Sequence, residues 1–161
     1  MPMDFVEFAS ARTQQLFRAA CLLTGDWHLA EDLVQETLGK IYVSWRRISR
    51  MDSPAAYANT VLVNTFLSHR RLRRTGERPS ARLPEAVEPG EDTALRLALL
   101  DGLALLPAKD RAVLVLRYWE DRSVEETADA LHLSAGTVRT QSHRALRRLR
   151  AQLGEIRDLT G

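Results

Sequence analysis

A helix–turn–helix pattern near the end of the chain is the feature that most constrains its fold. Ser123 and Glu126 have the spacing of a capping box, which predicts a helix that begins at Ser123. Residues 132–134 then interrupt the helical spacing of apolar side chains, and Ser134 offers a cap for a second helix beginning near Ala135. Two helices joined by a tight turn are therefore predicted in this part of the chain.

The second of these helices separates apolar from basic side chains. Val138, Ala145 and Leu149 recur at helical spacing and predict one buried stripe. Between Ser134 and Arg150 there are five arginines and one histidine, with no acidic residue. A helix–turn–helix places the first turns of its second helix in the major groove of DNA, where arginine and glutamine match base edges. The side chains predicted to turn outward or to meet DNA are Thr137, Arg139, Thr140, Gln141, Arg144, Arg147 and Arg148. The alternative is that these arginines form only a solvated helix face.

Composition limits the classes of protein to which the chain can belong. The chain has 161 residues and a net charge of only +2, but its basic residues are grouped at Arg70–Arg74 and Arg139–Arg150, as expected for two surfaces that meet a polyanion. Cys21 is the single cysteine, which excludes an intrachain disulfide and a cysteine-based metal site. No apolar run approaches the length of a membrane span, and the first residues lack a signal-peptide layout. We therefore expect a cytoplasmic protein with no membrane insertion.

Glycine, proline and capping residues divide the first part of the chain into helices. Gly25 ends the first predicted helix and Asp26 caps a second, whose apolar stripe steps by three or four as far as Ile48. Ser53 followed by Pro54 opens a third helix, which is predicted to run to about residue 74. Residues 1–74 are therefore predicted to form a three-helix bundle.

The rest of the chain consists of a predicted linker and a second helical domain. Residues 75–92 hold three prolines, two glycines and an acidic bias, which is typical of a flexible linker. Residues 93–161 are predicted to form four helices, the last two being the helix–turn–helix. The predicted fold class is all-α, with two small helical domains on either side of the linker.

The sequence contains no motif that predicts catalytic activity. The four histidines are dispersed, no paired metal-ligand motif occurs, and the glycines form no phosphate-binding loop. We predict no catalytic residue, no bound metal and no cofactor, so that the chain acts by binding.

Three motifs resemble one family of proteins. They are LTGDWHLAEDLVQET at residues 23–37, AYANTVLVNTFLSHRRLRR at residues 56–74, and the long segment from Leu106 to Arg150 that contains the helix–turn–helix. In this order, and on either side of such a linker, they resemble the extracytoplasmic-function group of bacterial RNA polymerase sigma factors, in particular its actinobacterial SigE-like branch. The resemblance implies two helical domains, called region 2 and region 4, that bind core RNA polymerase and promoter DNA.

The first motif is implied to dock onto the coiled-coil clamp helices of the largest polymerase subunit. Its acidic and amide side chains lie opposite the apolar stripe of Val34 and Leu38 in the predicted helix. An acidic surface cannot be a DNA surface, whereas it suits a basic protein partner. The residues expected to contact core polymerase are Asp32, Gln35 and Glu36. An ordinary solvated helix face is the alternative.

The second motif is implied to recognise the −10 promoter element in an opened strand. Asn64 matches the asparagine of the family pattern and can satisfy the edge of an unstacked base, and Tyr57 can supply a stacking face. The family commonly has tryptophan where this chain has Tyr57, which puts the strength of strand melting in doubt. Arg70, Arg71, Arg73 and Arg74 are expected to hold phosphates and to make binding dependent on salt. A satisfied polar residue for Asn64 and core packing for Tyr57 are the alternatives.

The third motif is implied to read the −35 element through the outward residues of the helix–turn–helix. The linker is implied to thread toward the active-site and RNA-exit channels of the polymerase, where its acidic residues imitate nucleic acid, although a plain tether fits the composition equally. Many family members are held by an anti-sigma partner and others are not, and the sequence leaves both open. The runner-up function is a freestanding helix–turn–helix regulator, which binds duplex DNA without polymerase.

Overall fold

The structure, a computed structural model, describes residues 4–72 and 91–160, and in these ranges it contains helices and no strand. The first range forms α1 (Phe5–Thr24), α2 (Trp27–Val43), the short α3 (Trp45–Ile48) and α4 (Pro54–Leu72). The second forms α5 (Glu91–Ala104), α6 (Ala108–Leu114), a π-helical turn (Val115–Trp119), α7 (Val124–Leu131) and α8 (Ala135–Thr160). The predicted all-α fold with two helical domains is confirmed. No helix in these ranges is both long and apolar enough to cross a membrane.

The capping residues read from the sequence begin and end the helices as predicted. The Asp26 carboxylate accepts a hydrogen bond from the backbone N–H of Leu29 at 3.0 Å, and Gly25 ends α1 with a φ of 66°. At α7, Ser123 and Glu126 form both bonds of the capping box, each 3.0 Å long. Hydrogen bonds between residues close in sequence therefore specify these boundaries.

Two boundaries differ from the sequence prediction. The long second helix was expected to continue through Ile48, but the backbone breaks at Ser44 and restarts as the single turn of α3. Glu91 and Asp92, predicted to belong to the linker, are the first residues of α5. The remainder of the predicted linker lies outside the described residues.

The two domains pack against each other through a shared core. Leu16, Leu23 and Leu62 are fully buried in the first domain. The same cluster of buried side chains includes Val115 and Leu116 of the second domain. A smaller cluster lies between α5, α6 and α8 inside the second domain. The polar residues predicted to bind DNA are therefore presented by helices whose positions are fixed by these two apolar clusters.

Candidate nucleic-acid interface

The N-terminus of α8 is fixed by a cap and by its buried face. Ser134 Oγ accepts a hydrogen bond from the backbone N–H of Thr137 at 3.1 Å and donates one to Thr137 Oγ1 at 2.8 Å. Val138 and Ala145 are completely buried, as the apolar stripe predicted. The opposite face of the helix is consequently turned to solvent.

The predicted base-reading residues lie together on this outer face. Thr137, Thr140 and Arg144 are exposed and Gln141 is half-buried. These four line one open groove of about 740 Å³. Lys109 of α6 lies in the same groove and adds a positive charge that the sequence analysis did not single out. Its position follows from tertiary packing, so only its basic charge was visible in the sequence. Arg139 and Arg147 are also exposed.

Two of the predicted arginines contact carboxylates of the same chain. Arg148 Nη1 donates to Asp110 Oδ2 at 2.6 Å, and the side chain of Asp110 is only 5% exposed. Arg148 therefore balances a buried carboxylate of α6, and this structural contact limits its freedom to reach DNA. Arg139 lies 3.5 Å from Glu125 across the turn, but both side chains are more than half exposed and water screens the pair.

Tyr57 and Asn64 lie on α4 and are both half-buried. The hydroxyl of Tyr57 accepts a hydrogen bond from Arg47 Nη2 at 3.3 Å, and the Arg47 guanidinium lies 5.5 Å from the centre of the tyrosine ring. One face of that ring is thus already paired with a cation. Asn64 Nδ2 donates to the backbone carbonyl of Ala130, at the end of α7, at 2.9 Å. The structure therefore brings the second domain directly onto the predicted −10 residue.

The basic cluster that follows Asn64 is described only in part. Arg70 is exposed on α4 and lines a cavity of about 130 Å³ together with Asp32, His69 and Arg111. Arg71 is the next residue of α4. Arg73 and Arg74 lie outside the described residues. Of the four arginines predicted to hold phosphates, Arg70 is therefore the one whose exposure the structure describes.

Further polar bonds tie the second domain to α4. Arg122 Nη1 donates to Thr60 Oγ1 at 2.6 Å, and the second nitrogen of the same guanidinium donates to the carbonyl of Ala56. One turn away, Asn59 Nδ2 donates to Glu120 Oε2 at 2.6 Å. Burial lowers the pKa of Arg122 and raises the pKa of Glu120. Both charged groups are therefore partly removed from water by the domain contact.

A second arginine is buried between the domains. Arg111 of α6 is 4% exposed, donates to the carbonyl of Leu23 at 2.5 Å and lies 5.3 Å from the centre of the Phe66 ring. Burial, and secondarily the positive charge of Arg70, lower the pKa of Arg111 to about 10. Arg111 therefore stays protonated at neutral pH, and it connects α6 to both α1 and α4 of the first domain.

The acidic residues of α2 form an open surface on the opposite side of that helix from its core stripe. Asp32, Gln35 and Glu36 are exposed, whereas Leu33 and Val34 are buried. Glu36 Oε2 lies 2.5 Å from His69 Nε2, so the edge of this surface is linked to α4. The structure thus brings the three predicted polymerase-binding residues together, with Asp32 and Gln35 free to contact a partner.

The described residues contain no cluster of histidine, cysteine and carboxylate side chains that is able to hold a metal ion. Cys21 is half-buried in α1, and burial raises the pKa of its thiol to about 11. A thiol with such a pKa is protonated at neutral pH and is a poor nucleophile.

Comparison with known proteins places both domains in one family. Residues 9–75 match sigma-70 region 2 and residues 102–151 match sigma-70 region 4. The chain is 41% identical to the RNA polymerase sigma-E factor of Streptomyces coelicolor, over 94% of this chain and 86% of that protein. It is 37% identical to the ECF RNA polymerase sigma factor SigL of Mycobacterium tuberculosis, over 88% of this chain and 84% of that protein.

Solved structures agree with the sequence matches. The sigma factor RpoE of Bartonella quintana, in a complex with the anti-sigma factor NepR, superposes with a TM-score of 0.75 at 25% identity, covering 94% of this chain and 97% of that chain. CnrH, in a complex with the cytosolic domain of CnrY, has the same fold, with a TM-score of 0.61 at 22% identity over 98% of this chain and 89% of that chain. The chain belongs to the sigma-70 family, in its extracytoplasmic-function group.

Proposed function

We propose that this chain binds core RNA polymerase, recognises −10 and −35 promoter elements and directs transcription initiation. The observation that carries the proposal is the row of exposed polar and basic residues on α8, the second helix of the helix–turn–helix within the region 4 match. A region 2 match with an acidic surface on α2 lies in the same chain. One protein therefore holds a surface that suits DNA and a surface that suits a basic protein.

The domain division read from the sequence is part of this proposal. Residues 1–74 form region 2, residues 75–92 form the connector and residues 93–161 form region 4. The family matches at 9–75 and 102–151 support this division, and the start of α5 at Glu91 moves the connector boundary by two residues.

Region 2 uses two different surfaces. Asp32, Gln35 and Glu36 contact core polymerase, and their support is their common exposure on one side of α2. Tyr57 and Asn64 receive the opened −10 strand, and their support is their position on one helix that continues directly into the basic cluster. Arg70, Arg71, Arg73 and Arg74 hold the phosphates of that strand.

Region 4 reads the −35 element through α8. Thr137, Thr140, Gln141 and Arg144 contact base edges or nearby phosphates, because they surround one groove at the N-terminus of the helix. Arg139 and Arg147 contact phosphates on either side. Arg148 is expected to contribute least of the predicted set, because it is paired with Asp110.

The chain contributes binding, and the polymerase contributes the chemistry of RNA synthesis. Its place of action is then the cytoplasm, where the polymerase acts on the chromosome. An anti-sigma factor is a further candidate partner, supported by the likeness to a sigma factor solved in a complex with one.

Transcription in vitro tests the proposed function. Purified actinobacterial core polymerase is mixed with a genomic promoter library, with and without this chain, and the 5′ ends of the transcripts are sequenced. We expect a defined set of start sites that requires both proteins. Sequence-specific duplex binding by the chain alone, with no start site gained in the presence of core polymerase, would instead establish a freestanding regulator.

A further inference from the structure

A partly enclosed cavity lies where α1, α2, α4 and α6 meet. Its volume is about 130 Å³, well above the roughly 10–15 Å³ that a single water molecule needs, so it has room for a small polyatomic ion. Phe66 contributes to its apolar part, and its ionisable lining residues are Asp32, His69, Arg70 and Arg111. We name it the α4–α6 cavity.

Two guanidinium groups share the α4–α6 cavity. Arg111 is 4% exposed, whereas Arg70 is exposed and stands at the rim. Burial, and secondarily the positive charge of Arg70, lower the pKa of Arg111 to about 10, so the two cations are close enough to repel each other. A negative charge placed between two such cations stabilises both of them.

The protein itself provides little negative charge to this pair. Among the described residues, no carboxylate forms an ion pair with Arg70 or with Arg111, although Asp32 lines the same cavity. Arg111 Nη1 donates to the carbonyl of Leu23, and its Nε has no hydrogen-bond partner in the described part of the chain. The two arginines outnumber the single aspartate, so the lining carries an excess of positive charge.

We propose that the α4–α6 cavity binds a small phosphate-bearing anion, with Arg70 and Arg111 as its charged ligands. A guanidinium presents its N–H groups in one plane, and this arrangement matches two oxygens of a phosphate group. The deep position of Arg111 favours a free anion over a phosphate of a DNA strand, because a polymer backbone cannot follow a single phosphate into so small a cavity. The site does not rest on the proposed function, and it gives Arg70 a ligand besides the −10 strand.

The position of Asp32 allows a test with two opposite signs. Its carboxylate lines the cavity and repels an anion there, whereas Arg70 attracts the anion. Both side chains are exposed, so both can be replaced by an uncharged amide with little effect on the fold. Arg70→Gln should therefore weaken phosphate binding, and Asp32→Asn should strengthen it.

Thermal unfolding of the full chain gives the first measurement, with inorganic phosphate added at constant ionic strength. We expect millimolar phosphate to raise the Tm of the wild-type chain by about 2–4 °C. Arg18→Gln is the matched control, because it removes an exposed cation of α1 that does not line the cavity, and it should keep the full rise. Equal rises for the wild type and Arg70→Gln would identify a general salt effect and overturn the proposal.

Isothermal titration calorimetry with inorganic phosphate measures the affinities directly. Arg70→Gln should raise the Kd roughly tenfold or more, since a charge-assisted contact is lost. Asp32→Asn should lower the Kd about two- to fivefold, since an exposed like charge is removed. No phosphate binding by the wild-type chain, or weaker binding by Asp32→Asn, would overturn the proposal.

A variant of the buried arginine completes the series. Arg111→Met should abolish phosphate binding, and circular dichroism checks that the variant is folded. Wild-type affinity of a folded Arg111→Met chain would overturn the proposal. If this variant does not fold, Arg70→Gln and Asp32→Asn still decide the outcome.

Three further probes identify the source of the phosphate group. They are pyrophosphate, ATP and a single-stranded oligothymidylate, each titrated into the wild-type chain and into Arg70→Gln. Tighter binding of inorganic phosphate or pyrophosphate than of ATP would assign the cavity to a free anion, and the reverse order would assign it to the terminal phosphate of a nucleotide. Binding of the oligothymidylate alone would overturn the proposal and leave Arg70 to the −10 strand.

Discussion

Asn64 of α4 and the outer face of α8 are both proposed to meet promoter DNA, but the structure surrounds them differently. On α8, Thr140 and Arg144 project into an open groove. On α4, the amide of Asn64 is bonded to a backbone carbonyl of the other domain. The residues proposed to contact duplex DNA are therefore open to solvent, whereas the residue proposed to receive an unpaired base is bonded within the protein.

The largest expected effect is the difference in stability between a substitution on the buried face of α8 and one on its exposed face. Val138→Asp places a carboxylate in a fully buried position and should cost about 3–5 kcal/mol of unfolding free energy. Thr140→Asp adds the same charge two residues away on the open face, so it should leave stability nearly unchanged while it weakens duplex binding. Urea unfolding and electrophoretic mobility shift measure the two effects. Equal destabilisation by both variants would show that the open face of α8 is part of the core.

The next effect concerns the open acidic surface of α2. Asp32→Lys with Glu36→Lys reverses two charges and should weaken core polymerase binding roughly 10- to 100-fold, while duplex binding by region 4 is unchanged. Asp129→Lys is the matched control, because it reverses an exposed acidic residue of α7. Fluorescence anisotropy with labelled chain and core polymerase gives the affinities. Wild-type affinity of the double variant would remove α2 as the docking surface.

Two neighbouring arginines of α8 sharpen the distinction between a structural and a DNA-binding role. Arg148→Ala leaves the nearly buried Asp110 without its ion-pair partner and should cost about 1–3 kcal/mol of stability. Arg144→Ala should leave stability within about 0.5 kcal/mol of wild type and lower the −35 affinity by about 1–3 kcal/mol. Thermal unfolding and mobility shift on the selected promoters distinguish the two. A loss of stability with Arg144→Ala and a loss of −35 affinity with Arg148→Ala would contradict this assignment of roles.

The smallest effect tests the cap of α7, the helix whose Ala130 carbonyl binds Asn64. Ser123→Ala removes the side-chain half of the capping box at α7 and should cost about 1 kcal/mol. Ser123→Asp keeps an acceptor at the same place and should restore most of that loss. Urea denaturation midpoints at constant slope measure the difference. No loss on alanine substitution would mean that packing alone positions α7.

Local signals made the secondary structure predictable from the sequence. The capping bonds at Ser123, Asp26 and Ser53 join residues three positions apart, so the capping pattern is complete within a short segment. The break at Ser44 was missed because no glycine or proline marks it. The stripe of Val138 and Ala145 was predicted correctly, since helical periodicity reports burial directly.

Contacts between distant segments were beyond this kind of prediction. Arg148 was assigned to DNA because its partner Asp110 lies 38 residues earlier, and no local pattern links the two. The covering of Asn64 by Ala130 likewise joins positions 66 residues apart. The residue types identify these groups as polar, but only the packing of the two domains determines whether they face water or one another.

The π-helical turn after α6 has a consequence for the rest of region 4. The N–H of Glu120 donates to the carbonyl of Val115, five residues earlier, so this wider turn holds one residue more than an α-helical turn. Val115 and Leu116, at its start, are buried in the core that both domains share, whereas Tyr118 and Trp119, at its end, are half exposed. The helix ends with this turn, and α7 begins only at Val124. The widened last turn therefore sets the point at which the chain leaves the shared core and leads into the helix–turn–helix.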